Sequence, residues 1–206
     1  MQGAATARVE RGWLDERSRL EALARAIEPS VRIETKDGWI WRALGRLAAI
    51  ATFGGISKRR FLEDFATTLG PLQGYPAAWS AGRVEMILVH EARHTYQARL
   101  CGFGLHPWLG IPIFAVLYLA LPVPLGFAWL RLLFELDADR AAWRHALARG
   151  ASPHEIRARA RAFAAVVCSG SYGWAMPRGI GERVFERAAE RVITEFESDP
   201  DASARA

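Results

Sequence analysis

The feature that most constrains this chain is the pentapeptide His90-Glu91-Ala92-Arg93-His94. An H-E-x-x-H pattern on a helix places its two histidines one turn apart on one face, so both imidazoles can bind the same Zn²⁺. Glu91 then lies about 100° around the helix, within reach of a water molecule at that ion. The pattern predicts a helix here and a zinc site of the hydrolytic kind.

The residues around the pentapeptide support the predicted helix. Between Ser80 and Leu100 no Pro or Gly follows Gly82, and Ser80 is a suitable N-cap. Apolar residues such as Val84 and Leu88 recur at helical spacing on the face that also carries Glu91. Burying a carboxylate and two imidazoles on an apolar face costs free energy, and metal ligation removes that cost.

A catalytic zinc site needs a third protein ligand and an open position. Leu100 occupies the place where the longer H-E-x-x-H-x-x-G-x-x-H motif has its last histidine. Glu135 is the better candidate, because Asp139 follows it by one helical turn and can accept the remaining ring N–H of a ligand histidine. His106 and His145 are the substitute ligands.

An ordinary acidic helix is the alternative for the segment around Glu135 and Asp139. Arg131, Arg140 and Arg144 stand at pairing distance from these carboxylates on a helix. The H-E-x-x-H pattern in the same chain favours the metal site over this alternative.

Glu135-Leu136-Asp137-Ala138-Asp139 forms an E-x-x-A-D pattern. An H-E-x-x-H motif followed by E-x-x-A-D resembles the gluzincin metallopeptidases, specifically those of the M48 type. The resemblance implies that His90, His94 and Glu135 bind Zn²⁺, that Glu91 is the general base, and that Asp139 orients a ligand histidine. The stretch between the motifs is short for an integral membrane member of that family, so a small, minimal gluzincin is the closer match.

A substrate strand is the next expectation from this resemblance, because gluzincins place an edge strand beside the active-site helix. The Phe- and Thr-rich segment from Phe61 to Leu69 is predicted to be a strand. An extended peptide would add to its unpaired edge. The candidate substrate-binding residues are Phe65, Ala66, Thr67, Thr68 and Leu69, and a purely structural strand is the alternative.

Peptide hydrolysis also needs a hydrogen-bond donor for the developing oxyanion, commonly a Tyr, His or Arg. Tyr172 lies in a Gly-rich bend between two predicted helices and is the first candidate. His154 and Arg178 are the others. A tyrosine in such a bend is more often a packing residue.

Residues 100–130 contain no Lys, Arg, Asp or Glu. A single membrane crossing by this run would separate the two histidines from Glu135, so the run must return to the side it left. The turning point is predicted at Leu121-Pro122-Val123-Pro124-Leu125-Gly126, and each arm is then too short to span a bilayer. Residues 107–130 are expected to insert shallowly at a membrane surface or to pack against protein.

The predicted fold is α+β and mostly α, with a small sheet packed on the H-E-x-x-H helix. One metallopeptidase-like domain covers residues 1–206. Its expected parts are N-terminal helices (1–54), strands and the motif helix (55–100), an apolar helical hairpin (101–134), C-terminal helices (135–197) and a disordered tail (198–206). Within the C-terminal part, Ser152 and Glu155 form a predicted capping box with Pro153 at the first helical position.

Charge and cysteine usage narrow the functional classes. The net charge is +5, but its arginines are interspersed with acidic residues as on a solvated helix face, so nucleic-acid binding is not expected. Two cysteines far apart in sequence predict free thiols, and the charged N-terminus is unlike a signal peptide. We therefore expect a location on the cytoplasmic side, associated with a membrane or not.

Two functional hypotheses follow from these patterns. The first is Zn²⁺-dependent hydrolysis of a peptide or protein substrate. The second is a catalytically silent protein with the same fold, docked in a larger assembly through its apolar hairpin.

Overall fold

The computed structural model describes residues 16–51, 57–119, 129–169 and 176–199. Within these ranges the chain is mostly helical with one small sheet, which confirms the predicted α+β class. The elements in chain order are α1 (residues 16–27), β1 (Arg32–Thr35), α2 (Trp39–Ala51), α3 (Lys58–Glu63), β2 (Thr67–Leu69), β3 (Leu72–Tyr75), α4 (Ala81–Cys101), α5 (Pro107–Leu119), α6 (Trp129–Ala148), α7 (Pro153–Val167) and α8 (Arg178–Ser198).

The sheet has the strand order β1-β3-β2, with β1 parallel and β2 antiparallel to β3. Thr68 of β2 is paired with Gln73 of β3, and β2 forms one edge of the described sheet. The ring of Trp41 packs directly against β3 at Gly74. Only glycine leaves room for it there, because a Cβ at this position would lie 2.7 Å from the ring. The sheet therefore keeps β2 at an edge, while Trp41 of α2 packs against β3.

The prediction of a strand from Phe61 to Leu69 is wrong in its first part. Residues 61–63 belong to α3, and the strand covers only Thr67–Leu69. Ser57 explains the difference, since its hydroxyl accepts a hydrogen bond from the backbone N–H of Arg60 and caps α3. Phe65 and Ala66 lie between α3 and β2 in irregular structure.

The chain divides into two compact units, Met1–Tyr96 and Gln97–Ala206, and the boundary falls inside α4. The core of the first unit joins α1, β1, β3 and the first part of α4 through buried side chains including Leu20, Ile33, Tyr75 and Leu88. The core of the second unit joins α6, α7 and α8 through buried side chains including Leu132, Trp143, Ile156, Phe185 and Val192.

The ends of α6 and α7 follow the local chemistry of the sequence. Gly150 has a φ of 90°, a left-handed conformation that suits glycine, and it follows the end of α6. The Ser152 hydroxyl then accepts from the N–H of Glu155, whose carboxylate accepts from the N–H of Ser152. The capping box is therefore confirmed, and these two residues are structural.

α5 forms the described part of the apolar run. A Cβ at Gly110 would lie 1.6 Å from the carbonyl oxygen of Ala98, so only glycine allows α5 to lie this close to the end of α4. Leu109 and Val116 are each 60% exposed. Among the described helices none is long and apolar enough to cross a membrane, and the predicted turning point at residues 121–126 lies outside the described residues.

Candidate metal centre

The two histidines of the pentapeptide meet at their Nε2 atoms on one face of α4. These atoms are 3.0 Å apart, and the two rings are nearly perpendicular. Two nitrogen donors that bind one zinc ion tetrahedrally are about 3.3 Å apart, since each Zn–N bond is about 2.0–2.1 Å long. The spacing of His90 and His94 is therefore close to that of a shared metal ion.

Glu135 of α6 completes a group of three ligands. One ligand atom from each of His90, His94 and Glu135 lies within 4.8 Å of the others. His94 is 8% exposed and Glu135 is 1% exposed, while His90 is half-buried. Two imidazoles and a carboxylate are donors that zinc accepts, and a cation offsets the cost of burying the carboxylate. The three residues can therefore hold a metal ion.

Two residues that sequence analysis missed fix Glu135 and its helix. The amide of Gln97, one turn after His94, donates to the carbonyl oxygen of Phe134 at 3.0 Å and to the carboxylate of Asp137 at 2.8 Å. The hydroxyl of Tyr118 donates to Oε1 of Glu135. Gln97 shares a helix face with His94 at i,i+3, so its position was visible in the sequence, whereas nothing in the pattern links Tyr118 to Glu135.

The general base predicted from the motif has a hydrogen-bond partner on the sheet. The Thr68 hydroxyl of β2 donates to Oε2 of Glu91 at 2.5 Å. Thr68 is also one of the predicted substrate-binding residues, and that role stays a prediction. The backbone of β2 remains at the sheet edge, as that prediction requires.

A buried polar layer attaches β3 and its turn to α4. Gln73, which is fully buried, donates to the Thr95 hydroxyl at 3.3 Å and accepts from the Tyr75 hydroxyl at 3.0 Å. Thr95 in turn donates to the carbonyl oxygen of Gly70 at 2.9 Å. Burial, followed by the charge of Glu91, raises the pKa of Tyr75 well above its usual value. Tyr75 therefore stays neutral, and the layer fixes the rotation of α4 about its axis.

Lys36 is a buried cation directly after β1 and is only 3% exposed. Its ammonium donates to the carbonyl oxygens of Phe61 and Phe65, both at 2.9 Å, and to the Thr67 hydroxyl at 2.5 Å. Burial lowers its pKa to about 8, and the charge of Glu91 partly opposes that shift. Lys36 thus ties the end of α3 to the residue that precedes Thr68.

The predicted histidine-orienting residue Asp139 and the two substitute ligands lie outside this group of three. Asp139 is buried one turn beyond Glu135, and its role as acceptor for a ligand histidine stays a prediction. His106 is exposed, and its Nδ1 accepts from the backbone N–H of Trp108 at the start of α5. His145 lies ten residues after Glu135 on α6 and is half-buried.

The oxyanion donors predicted from sequence are not joined to the centre by any described contact. His154 is exposed in the first turn of α7. Arg178 is exposed at the start of α8 and forms an ion pair of 2.7 Å with Glu182. Tyr172 lies outside the described residues. All three stay predictions.

Two of the three arginines considered in the alternative for α6, Arg131 and Arg144, contact other helices. Arg144 forms an ion pair of 2.8 Å with Glu195 of α8. Arg131 donates to the carbonyl oxygen of Tyr118 at 2.8 Å. Each of these two arginines therefore contacts an element other than α6.

No protein-family model matches the chain, and no curated protein or solved structure matches it. What supports a metal centre is therefore its donor set, its burial and the distances between its atoms. The resemblance to gluzincins stays a prediction from two short motifs.

Proposed function

We propose that this protein is a zinc-dependent peptidase in which His90, His94 and Glu135 bind the metal and Glu91 is the general base. The observation that carries the proposal is the approach of three ligand atoms to within 4.8 Å of one another, at residues that two separate motifs supply. We propose zinc as the metal, because two imidazoles and one carboxylate are typical of catalytic zinc sites.

The chemistry divides between the ion and Glu91. When bound, Zn²⁺ would act as a Lewis acid and lower the pKa of a water molecule at the site towards about 7. The Glu91 carboxylate accepts the proton of the attacking water and hands it to the leaving amine. Thr68 restricts the rotation of that carboxylate through its hydrogen bond to Oε2, so the base keeps one orientation.

The edge of β2 is the proposed place for the peptide. β2 is paired with β3 on one side, so within the described sheet the backbone groups of its other side can pair with an extended chain. The Thr68 contact places this strand beside Glu91. A peptide bound along β2 would therefore run next to the general base.

Two substitutions and two control substitutions test the assignment of roles. Glu91→Gln should keep the metal and abolish cleavage, since an amide cannot accept the proton. Glu135→Ala should lose zinc, whereas His106→Ala and His145→Ala should retain it. Metal content of the purified variants and cleavage of a broad peptide mixture are the measurements. Substantial zinc-dependent proteolysis by Glu91→Gln contradicts the proposal.

A catalytically silent protein in a larger assembly is the second candidate. The exposed apolar side chains of α5, including Trp108, Leu109 and Val116, favour it because large apolar surfaces commonly contact a partner. Stoichiometric zinc without any turnover, or no zinc at all, would favour this candidate over the peptidase.

A further inference from the structure

We infer that Tyr118 is a positioning residue for the metal ligand Glu135, supplied by the apolar helix α5. The inference rests on the proposed metal site and adds a role that neither sequence motif contains. Its basis is the hydrogen bond from the Tyr118 hydroxyl to Oε1 of Glu135.

The ring of Tyr118 is held by its neighbours on α5 and α6. Phe114 stacks on it with ring centroids 5.5 Å apart, and Phe114 also packs on Phe134 at 5.0 Å. The Arg131 guanidinium lies 5.0 Å from the Tyr118 ring and donates to the Tyr118 carbonyl oxygen. The hydroxyl therefore reaches Glu135 from a constrained ring.

α5 itself has a fixed position relative to the end of α4. Gly110 lies directly against the carbonyl oxygen of Ala98 and the N–H of Gly102, so no side chain separates the two segments. Tyr118 follows Gly110 by about two helical turns on the same helix. The close approach at Gly110 thus helps to set where the hydroxyl lies.

The physical effect of this hydrogen bond is to orient a carboxylate. The terminal torsion of a glutamate side chain is broad, so an unrestrained Glu135 would lose rotational freedom on binding a metal. A donor on Oε1 favours binding of the ion through Oε2 and reduces that loss. Hydrogen bonds of this kind to a metal ligand typically strengthen metal affinity about 10- to 100-fold.

The test compares Tyr118→Phe, which removes only the hydroxyl, with Phe114→Leu, which removes an aromatic neighbour and keeps the hydroxyl. Zinc affinity is measured on the full chain by competition with a chelator, and circular dichroism checks the fold. We expect Tyr118→Phe to bind zinc about 10- to 100-fold more weakly, and Phe114→Leu, which loosens the packing of that ring but keeps the hydroxyl, to weaken binding by a smaller factor. The visible absorption of the Co²⁺-substituted protein should change in Tyr118→Phe, because the geometry at Glu135 changes.

The possible results separate this inference from the proposed function. Wild-type zinc affinity in Tyr118→Phe overturns the positioning role and leaves the peptidase proposal standing. Equal weakening in Phe114→Leu and Tyr118→Phe also overturns it, since ring packing would then explain the effect. A wild-type protein that binds no zinc overturns both.

Discussion

At the residue scale, two of the three candidate metal ligands come from one helix and the third comes from another. His90 and His94 are one turn apart on a single helix, so the pattern alone predicts that their imidazoles lie side by side, and their Nε2 atoms are 3.0 Å apart. Glu135 required a second motif, and its partner Tyr118 comes from another helix with no pattern that indicates it. Contacts of this last kind depend on how helices pack, which side-chain periodicity does not specify.

Thr68 offers a direct test of how Glu91 is positioned. Thr68→Val keeps the shape of the side chain but removes the hydroxyl that donates to Oε2. We expect kcat to fall about tenfold with zinc content and KM little changed, because general-base catalysis contributes about 10²–10⁴-fold and only its orientation is impaired. Steady-state kinetics on a cleaved peptide is the measurement.

Thr68→Ser is the matched control for this prediction, since it retains the hydroxyl. It should keep most of the wild-type kcat. A Thr68→Val protein with unchanged kcat, or a loss of equal size in Thr68→Ser, would show that the hydrogen bond does not position the base.

At the element scale, the helices that carry the site follow from periodicity and capping. The motif helix was expected between Ser80 and Leu100 and covers Ala81–Cys101, and the capping box starts α7 as predicted. β1 and α3 were missed because both are short and lack a long periodic pattern. α3 depends on its Ser57 cap, and β1 gains its stability by pairing with β3.

Lys36 contacts several of these elements, and because its pKa is lowered we expect the stability of the protein to depend on pH. Its pKa is about 8 in the folded protein against an ordinary value of 10.5, mainly because of burial. Between these values the unfolded chain binds more protons than the folded one, so the contribution of Lys36 to the free energy of unfolding rises with pH. The rise amounts to about 3 kcal/mol over that interval, at about 1.4 kcal/mol per pKa unit.

Lys36→Met isolates this contribution, because methionine does not titrate. Burial raises the pKa values of Cys101, Cys168 and Tyr75, and these groups act in the opposite direction. All three are present in both proteins, so their contributions cancel in the difference. Urea unfolding from about pH 7 to about pH 10 should show wild type gaining stability over Lys36→Met. A difference that is constant or falls with pH contradicts the prediction.

At the scale of the whole molecule, the sequence predicts the fold class and the candidate ligands better than it predicts how the chain divides into compact units. The α+β class and the three-residue group were both expected from local patterns. The division into two units inside α4 was not, since nothing in the composition changes between Tyr96 and Gln97. That boundary depends on which residues pack together in three dimensions, and a continuous helical pattern conceals it.

Binding of Zn²⁺ should raise the stability of the folded chain, whereas Mg²⁺ should have almost no effect. A ligand that binds only the folded state stabilises it by RT ln(1 + [L]/Kd), about 2.7 kcal/mol when free Zn²⁺ is about 100 times Kd. For a chain of this length that corresponds to a rise in Tm of about 5–10 °C.

Mg²⁺ should produce almost no shift, because it prefers six oxygen ligands and this site offers two nitrogens. Thermal unfolding of chelator-treated protein with each ion is the measurement, and Glu135→Ala should lose the zinc shift. An equal shift with Mg²⁺, or a full zinc shift in Glu135→Ala, would mean that the ion binds elsewhere.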